Sequence, residues 1–408
     1  MRRGTSAGQS GTGARSGGRR TDSPAASLAR RRARGRAGTR AKTRAAALRH
    51  NKRTHPPNAA GAHAGTRMRS REDRAGGPDN AHWMRAGAAD GAAWRAAHPE
   101  GSEAQLRDDA HRMWRDRADR LLANAGRPLR QRLQRYGSAY AAGIGQGCGM
   151  EVRFEPLLLN GSASAVVYAA AGAERLAAVL DELALLPLEE IVVVLDDAAP
   201  QPWAEALLRR PRIVAAYAPG VYADPHAARA AGARLTGADT VLFADGAGPC
   251  AARQLGLLLQ TADAEADVAL SDRTAREGLF DRRSEAAWLR EFLNVSLGKP
   301  ELRTNAIGSV PYALRRRALD AIGPETLAMP ARAQAAALLA GLRVAVCGGV
   351  PSAGEKETSE AAARMHAAAW RDCLTTREAR LRFPDRNRNR KAIGGGADGT
   401  DDCHHIGR

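Results

Sequence analysis

Apolar residues in this chain recur with two periods, and from about residue 163 the two alternate. Ala165-Val166-Val167-Tyr168 is a short continuous apolar run, suited to a buried strand. Residues 174–186 then place Leu176, Val179, Leu180, Leu183 and Leu186 at helical spacing, and Pro187 closes the segment. The β-branched run at 191–195 predicts a second buried strand. Two strands joined by one helix make a parallel unit. The alternation continues with a strand at 212–217, a helix opened by Asp224-Pro225 and running to about Leu235, and a strand at 240–244. A helix at 252–262, a strand at 267–270, a helix at 330–341, a strand at 342–346 and a helix at 355–376 complete the series. This order predicts an α/β domain over 161–385, with a Rossmann-like, mostly parallel sheet flanked by helices.

Outside that domain the pattern differs. Residues 103–135 mix charges with Met113, Trp114, Leu121, Leu122, Leu129 and Leu133 at near-helical spacing, which predicts a solvated helix or pair of helices. The run from Tyr136 to Gly147 carries four glycines and reads as a linker, so residues 101–160 form a helical segment plus linker. Residues 386–408 read as a polar tail.

Charge sharpens the picture of the N-terminus. The whole chain carries +18, but residues 1–150 hold 31 Lys/Arg against 11 Asp/Glu, while the remainder is near neutrality. Residues 1–100 are expected to be a disordered Arg/Ala/Gly-rich arm, since few apolar side chains offset an ordering entropy of roughly 1–2 kcal/mol per residue. Such an arm suits weak contact with phosphates of nucleic acid or acidic lipid. The favoured reading is a solvated tail, or an over-long gene start with Met84 or Met113 as the alternative, because no aromatic residue precedes Trp83 to stack on bases. Five widely spaced cysteines, with no C-x-x-C pair, argue against a disulfide framework or structural zinc and fit a reducing cytoplasm. No stretch reaches the ~18–20 apolar residues of a membrane helix, so any membrane contact is expected to be peripheral.

Ligands of open α/β sheets bind beyond the carboxyl ends of the strands. Asp196-Asp197 follow the second strand and Asp245 follows the strand at 240–244. Each could instead be a turn or cap residue, but carboxylates at consecutive strand ends suit a shared site. Asp272 stands in the same relation to the strand at 267–270. Arg229, on the helix opened by Asp224, either pairs with a diphosphate or lies on a solvated face. His226 reads as a surface residue, and Trp288 with Phe292 as core on a helix face.

The strand at 165–168, Val192-Val193-Val194-Leu195-Asp196-Asp197, the segment from His226 to Arg234, and Leu242-Phe243-Ala244-Asp245-Gly246 resemble, in order and spacing, family 2 glycosyltransferases of the GT-A fold. Further along, Phe292-Leu293-Asn294, Leu297-Gly298-Lys299-Pro300-Glu301-Leu302, Asn305, Val310-Pro311-Tyr312-Ala313-Leu314, Leu327-Ala328-Met329-Pro330, Gln334 and Phe383-Pro384-Asp385-Arg386 resemble a bacterial subgroup. The likeness spans about 160–390. It implies transfer of a sugar from a nucleotide-diphosphate donor to an acceptor hydroxyl, with inversion. Asp196, Asp197, Arg229 and Asn305 are then expected to contact the nucleotide sugar. Asp245 would hold Mg2+ or Mn2+ on the diphosphate, and Asp272 is the candidate base.

The chain departs from the family pattern at three places. Ala247 replaces the second metal-motif aspartate. Met329-Pro330 replaces the acidic pair that supplies the usual base. Tyr168 stands where proline is usual. The alternatives are therefore a non-catalytic nucleotide-sugar-binding relative and, more distantly, a nucleic-acid-binding protein acting through the arm.

Overall fold

A computed structural model of the chain describes residues 78–122, 127–169, 173–195, 207, 210–217, 224–248, 251–349, 359–376 and 381. Asp196 and Asp197, the polar tail and residues 1–77 of the expected arm lie outside the described residues.

Among the described residues, seven strands form one sheet in the order β3-β2-β1-β4-β6-β5-β7. They are β1 Ala163–Ala169, β2 Glu190–Leu195, β3 Ile213–Tyr217, β4 Thr240–Asp245, β5 Val268–Ser271, β6 Tyr312–Arg315 and β7 Val344–Cys347. All neighbours pair in parallel except β6, which runs antiparallel to β4 and β5. The α/β class and the mostly parallel sheet are thus as expected, and six strands coincide with sequence runs. Both faces are covered, which is why all seven residues of β1 are buried and why its stretch Ala165–Ala169 reads as one apolar run.

One face packs against α4 (Ala173–Leu183) and α6 (Ala252–Ala264), whose Leu176, Val179, Leu180, Leu183, Leu255, Leu258 and Leu259 join alternate strand residues such as Val167, Val193 and Leu242. The other packs against α5 (Pro225–Leu235) and, further along the chain, α9 (Arg316–Ile322) and α10 (Pro330–Leu339). The helix α5 begins as expected, with Asp224 Oδ1 accepting the backbone N–H of His226 at 2.9 Å. It lies so close to the sheet that a Cβ on Gly232 would come within 2.4 Å of Val166 Cγ1. The remaining helices are α7 (Thr274–Glu277), α8 (Glu285–Ser296) and α11 (Ser359–Thr376).

Trp288 and Phe292 do not join the core as expected. They sit on α8 but are 37% and 53% exposed. The buried face of α8 is Ala286, Ala287, Leu293, Asn294 and Ser296, and this turns 288 and 292 outward. There Trp288 Nε1 donates to Phe280 O at 2.7 Å, and the Phe280 and Trp288 rings are 5.7 Å apart.

The N-terminal part corrects two expectations. Residues 78–97, assigned to the disordered arm, form α1 (Pro78–Ala97). The supposed linker at 136–147 is the second half of α3 (Arg127–Cys148), which follows α2 (Glu103–Leu122). Its glycines are contact points. Idealised Cβ atoms on Gly87 and Gly91 would meet the carbonyl oxygens of Tyr140 and Ile144 at 2.2 and 2.3 Å. Those on Gly143 and Gly147 would meet the carbonyl oxygens of Met84 and Ala88 at 2.1 and 1.9 Å. Two small residues four apart on each helix let the backbones touch, a closeness no larger side chain permits. Trp83, Leu106, Trp114, Tyr140 and Ile144 form the core of this helical part, joined by Phe154 and Leu158. The Tyr140 hydroxyl donates to Asp90 Oδ2 at 2.6 Å, and Arg117 pairs with the same carboxylate. An ion pair between Arg212 and Asp108, and a 2.9 Å bond from Arg107 Nε to Arg153 O, tie α2 to the segments around the sheet.

His111 on α2 is 8% exposed and stacks edge-on to Phe154. Burial pushes its pKa down to about 3, and the charges of Arg107 and Arg115 add to this. The unfolded chain takes up a proton near pH 6.5 and the folded one does not, so stability is complete above pH 6.5 and is lost progressively below it. Between pH 7 and pH 5 the loss from this one group is about 2 kcal/mol. Urea unfolding of wild type and His111→Leu at both pH values checks this: the variant should lose about 2 kcal/mol less, and equal losses would refute it.

Candidate functional site

The carboxyl ends of β2, β1 and β4 lie side by side. Tyr168 of β1 pairs in register with Val194 of β2 and with Asp245 of β4. With strands about 4.8 Å apart, Asp245 and Val194 are roughly 10 Å apart across one row. Asp245 is half-buried, and its Oδ1 accepts the N–H of Ala247 at 3.0 Å. Gly246 donates its N–H to Tyr168 O at 2.8 Å, and a Cβ there would come within 2.9 Å of that oxygen. Glycine at 246 is what lets the chain turn this tightly across the end of β1. No group of three His, Cys, Asp or Glu residues placed to hold a metal occurs among the described residues.

Asp272, just past β5, is exposed at the far side of β6. Its Oδ1 accepts the N–H of Thr274 at 2.9 Å and Nδ2 of Asn305 at 3.2 Å. Partial burial pulls its pKa upward, but the hydrogen bonds from Thr274 and Asn305 and the charge of Arg303 outweigh this and hold it below the usual carboxylate range.

Asn305 is 2% exposed and fully engaged. Its Oδ1 accepts the N–H of Arg273 at 2.8 Å and its Nδ2 also reaches Thr274 Oγ1 at 3.3 Å. Behind it, Asn294 Nδ2 donates to the carbonyls of Arg303 and Asn305 at 2.9 and 3.0 Å. Gln334 Nε2 donates to Asn294 Oδ1 at 2.8 Å while its Oε1 accepts the N–H of Ile307 at 3.1 Å. This chain of three buried amides fixes the backbone from 303 to 307. A satisfied buried network of this kind rigidifies what it touches.

Arg229 is 1% exposed within α5, and its Nη1 lies 3.2 Å from His226 Nδ1, the nitrogen that accepts. His226 is half-buried and lines a cavity of about 260 Å3, so it is not the surface residue expected. The cavity opens beside the segment 306–309 that leads into β6, between the N-terminal ends of α5 and α10, the turn after β5, and helices α8 and α11. Arg273, Arg276, Arg290 and His366 also line it. Sequence reasoning did not single these out; the only local signal is the Arg273-x-x-Arg276 spacing after a strand.

No family model and no curated protein matches the chain. Among solved structures, glucosyl-3-phosphoglycerate synthase from Mycobacterium tuberculosis, in complex with Mn2+, uridine diphosphate and phosphoglyceric acid, is 18% identical over 56% of this chain and 81% of its own, with a TM-score of 0.39. The S. aureus TarS fragment 1–349 is 14% identical over 53% of this chain and 73% of its own, with a TM-score of 0.33. Both are similar in being α/β folds. These values are too low to carry a substrate or a mechanism across to this chain.

Proposed function

We propose that the chain binds a nucleotide-diphosphate sugar at the carboxyl edge of β2, β1 and β4 and transfers the sugar to an acceptor hydroxyl. The observation that carries this reading is the register row Val194–Tyr168–Asp245. It sets Asp245 on the edge that Asp196 and Asp197 directly follow in sequence, as the resemblance to family 2 glycosyltransferases leads one to expect. In this reading Asp196 and Asp197 accept hydrogen bonds from the nucleotide; Arg229, 1% exposed and 3.2 Å from His226, steadies the start of α5 and does not touch the diphosphate.

The described residues offer a divalent cation one carboxylate, Asp245, with one oxygen taken by Ala247 N–H and the other left for the ion. Mg2+ is commonly held by one or two carboxylates plus substrate phosphates, so this set fits such an ion, though more weakly than a paired motif would. Once bound, the ion supplies charge neutralisation on the leaving diphosphate. Asp272, kept ionised by its hydrogen bonds, is a poor proton acceptor; together with Asn305 it positions the turn that carries Arg273 and Arg276.

Ala247 favours a second reading, a relative that binds the donor without turning it over. Incubating the full chain with uridine or guanosine diphosphate sugars, Mn2+ and candidate acceptors, and measuring nucleoside diphosphate release, separates the two. The transferase reading expects release in the wild type and a rise of roughly tenfold in Ala247→Asp at limiting Mn2+, since a second carboxylate completes the ion's protein ligands. Donor binding with no release in either protein would leave only the binding reading.

A further inference from the structure

Phe280, Trp288, Phe292 and Trp370 form a strip of aromatic rings along α8. Phe280 lies 5.7 Å from Trp288, Trp288 stands one helical turn before Phe292, and Phe292 lies 5.1 Å from Trp370. Leu279 and Phe280 enter a short 3-10 turn (Phe280–Arg282) and are 70% and 67% exposed, more than any other large apolar residue among those described. This exposed pair is held from two sides. Trp288 Nε1 donates to Phe280 O at 2.7 Å, Arg283 Nε donates to Gly278 O at 3.1 Å, and Arg283 is itself anchored by an ion pair with Glu291. Apolar side chains fixed in an exposed pose lose little freedom on meeting a partner, which is what preorganisation contributes to binding.

Size sets the class of partner. Aromatic side chains offer ~150–250 Å2 each, so the exposed parts of Phe280, Trp288 and Phe292 come to roughly 300 Å2, and Leu279 extends them. A standard protein interface buries about 800 Å2 per partner, with an apolar centre inside a polar rim, and the strip has the dimensions of such a centre. Charge chooses among partners of that size. Residues 276–291 carry four arginines and four acids. Arg283 pairs with Glu291 and Arg290 with Glu277, while the exposed Asp281, Arg282 and Glu285 form no ion pair among the described residues. Asp281 and Arg282 directly follow Phe280, and Glu285 stands three residues before Trp288 on the same face of α8. A nucleic acid or an anionic membrane is drawn by an excess of basic charge, which this surface lacks. Unpaired charges of both signs beside one apolar strip are instead complementary to the same surface turned about a two-fold axis.

We propose that two copies of this chain associate through this surface. Leu279, Phe280 and Trp288 of each copy form the apolar centre of an isologous contact, and Arg282 of each faces Asp281 or Glu285 of the other. A two-fold contact closes on itself, so association stops at two copies. It uses no residue of the donor edge at β2, β1 and β4, so the dimer and the donor site are tested separately.

Sedimentation velocity of the full chain at about 100 μM and below tests this, since interfaces of this size bind in the micromolar range or tighter. The wild type should show a monomer–dimer equilibrium with a Kd of about 10 μM or tighter. Phe280→Ser, at an exposed position that folding does not depend on, should weaken dimerisation at least tenfold while keeping the wild-type circular dichroism spectrum. Arg282→Glu should weaken it at least fivefold at low salt, and by less in about 1 M NaCl, where exposed charges are screened. A wild type that stays monomeric, associates beyond two copies, or dimerises no better than either variant would overturn the proposal. Flotation with vesicles of phosphatidylcholine and phosphatidylglycerol tests the other occupant. Vesicle binding by the wild type that is lost in Phe280→Ser, with no dimer in solution, would assign the surface to a membrane and overturn the dimer.

Discussion

Gly143→Ala is expected to lower the unfolding free energy by roughly 2–3 kcal/mol, as rigid overpacking does. The sign is informative, because an alanine replacing glycine inside an exposed helix ordinarily stabilises by about 0.5–1 kcal/mol. Here the new methyl would sit 2.1 Å from the carbonyl oxygen of Met84, and backbone cannot step aside as a side chain can. The helices must separate, and that loosens Trp83, Tyr140 and Ile144, which pack at the same seam. Gly237→Ala is the control: nothing lies within 4 Å of its would-be Cβ, and it should change stability by no more than about 0.5 kcal/mol. Urea unfolding of the three proteins decides the matter. A Gly143→Ala variant as stable as the wild type would mean that α1 and α3 do not touch there.

Asp245→Asn is expected to abolish the gain in donor affinity that Mn2+ confers, a loss of at least tenfold under saturating metal. Asparagine keeps the shape and the oxygen that accepts the Ala247 N–H, so the turn after β4 should survive. What it removes is the one described carboxylate on that edge, the group proposed to hold a divalent cation, and hard cations hold weakly to an uncharged amide. The melting temperature without ligand should stay within a few degrees of the wild type. A variant that keeps the full Mn2+ effect would place the metal on other residues.

Much of the sheet was legible in the sequence, because a strand covered on both faces must be apolar at every position. The interiors of β1, β2 and β4, residues 165–168, 191–195 and 241–244, meet that condition, and Asp245 follows directly from knowing where the apolar run of β4 stops. β6 was not legible. It has only four residues, begins just after Pro311, ends in Arg315, and is defined by pairing with strands 42 to 75 positions earlier in the chain. The glycines of α3 misled for a different reason: their value lies in the α1 backbone they touch, not in the flexibility that local reasoning assigns them. Trp288 and Phe292 have the spacing of a core stripe, yet the smaller Ala286 and Ala287 face inward instead.

The site divides in the same way. Aspartates after strands are visible as local signals. The meeting of Arg273, Arg276, Arg290 and His366 depends on three separate segments folding to one place, and nothing local to any of them announces it. Asn305 was legible as a polar residue of interest, but its partners Asn294 and Gln334, which turn it into part of a rigid support, emerge only from the packing of α8 against α10.

The central claim is that the carboxyl edge of β2, β1 and β4 binds a nucleotide-diphosphate sugar with the help of a divalent cation. Calorimetric titration of the full chain with uridine and guanosine diphosphate sugars, with and without Mn2+, tests it most directly. The prediction is saturable binding of at least one donor that tightens at least tenfold when Mn2+ is present. Absence of heat with every donor in both conditions, from protein shown to be folded, would contradict it.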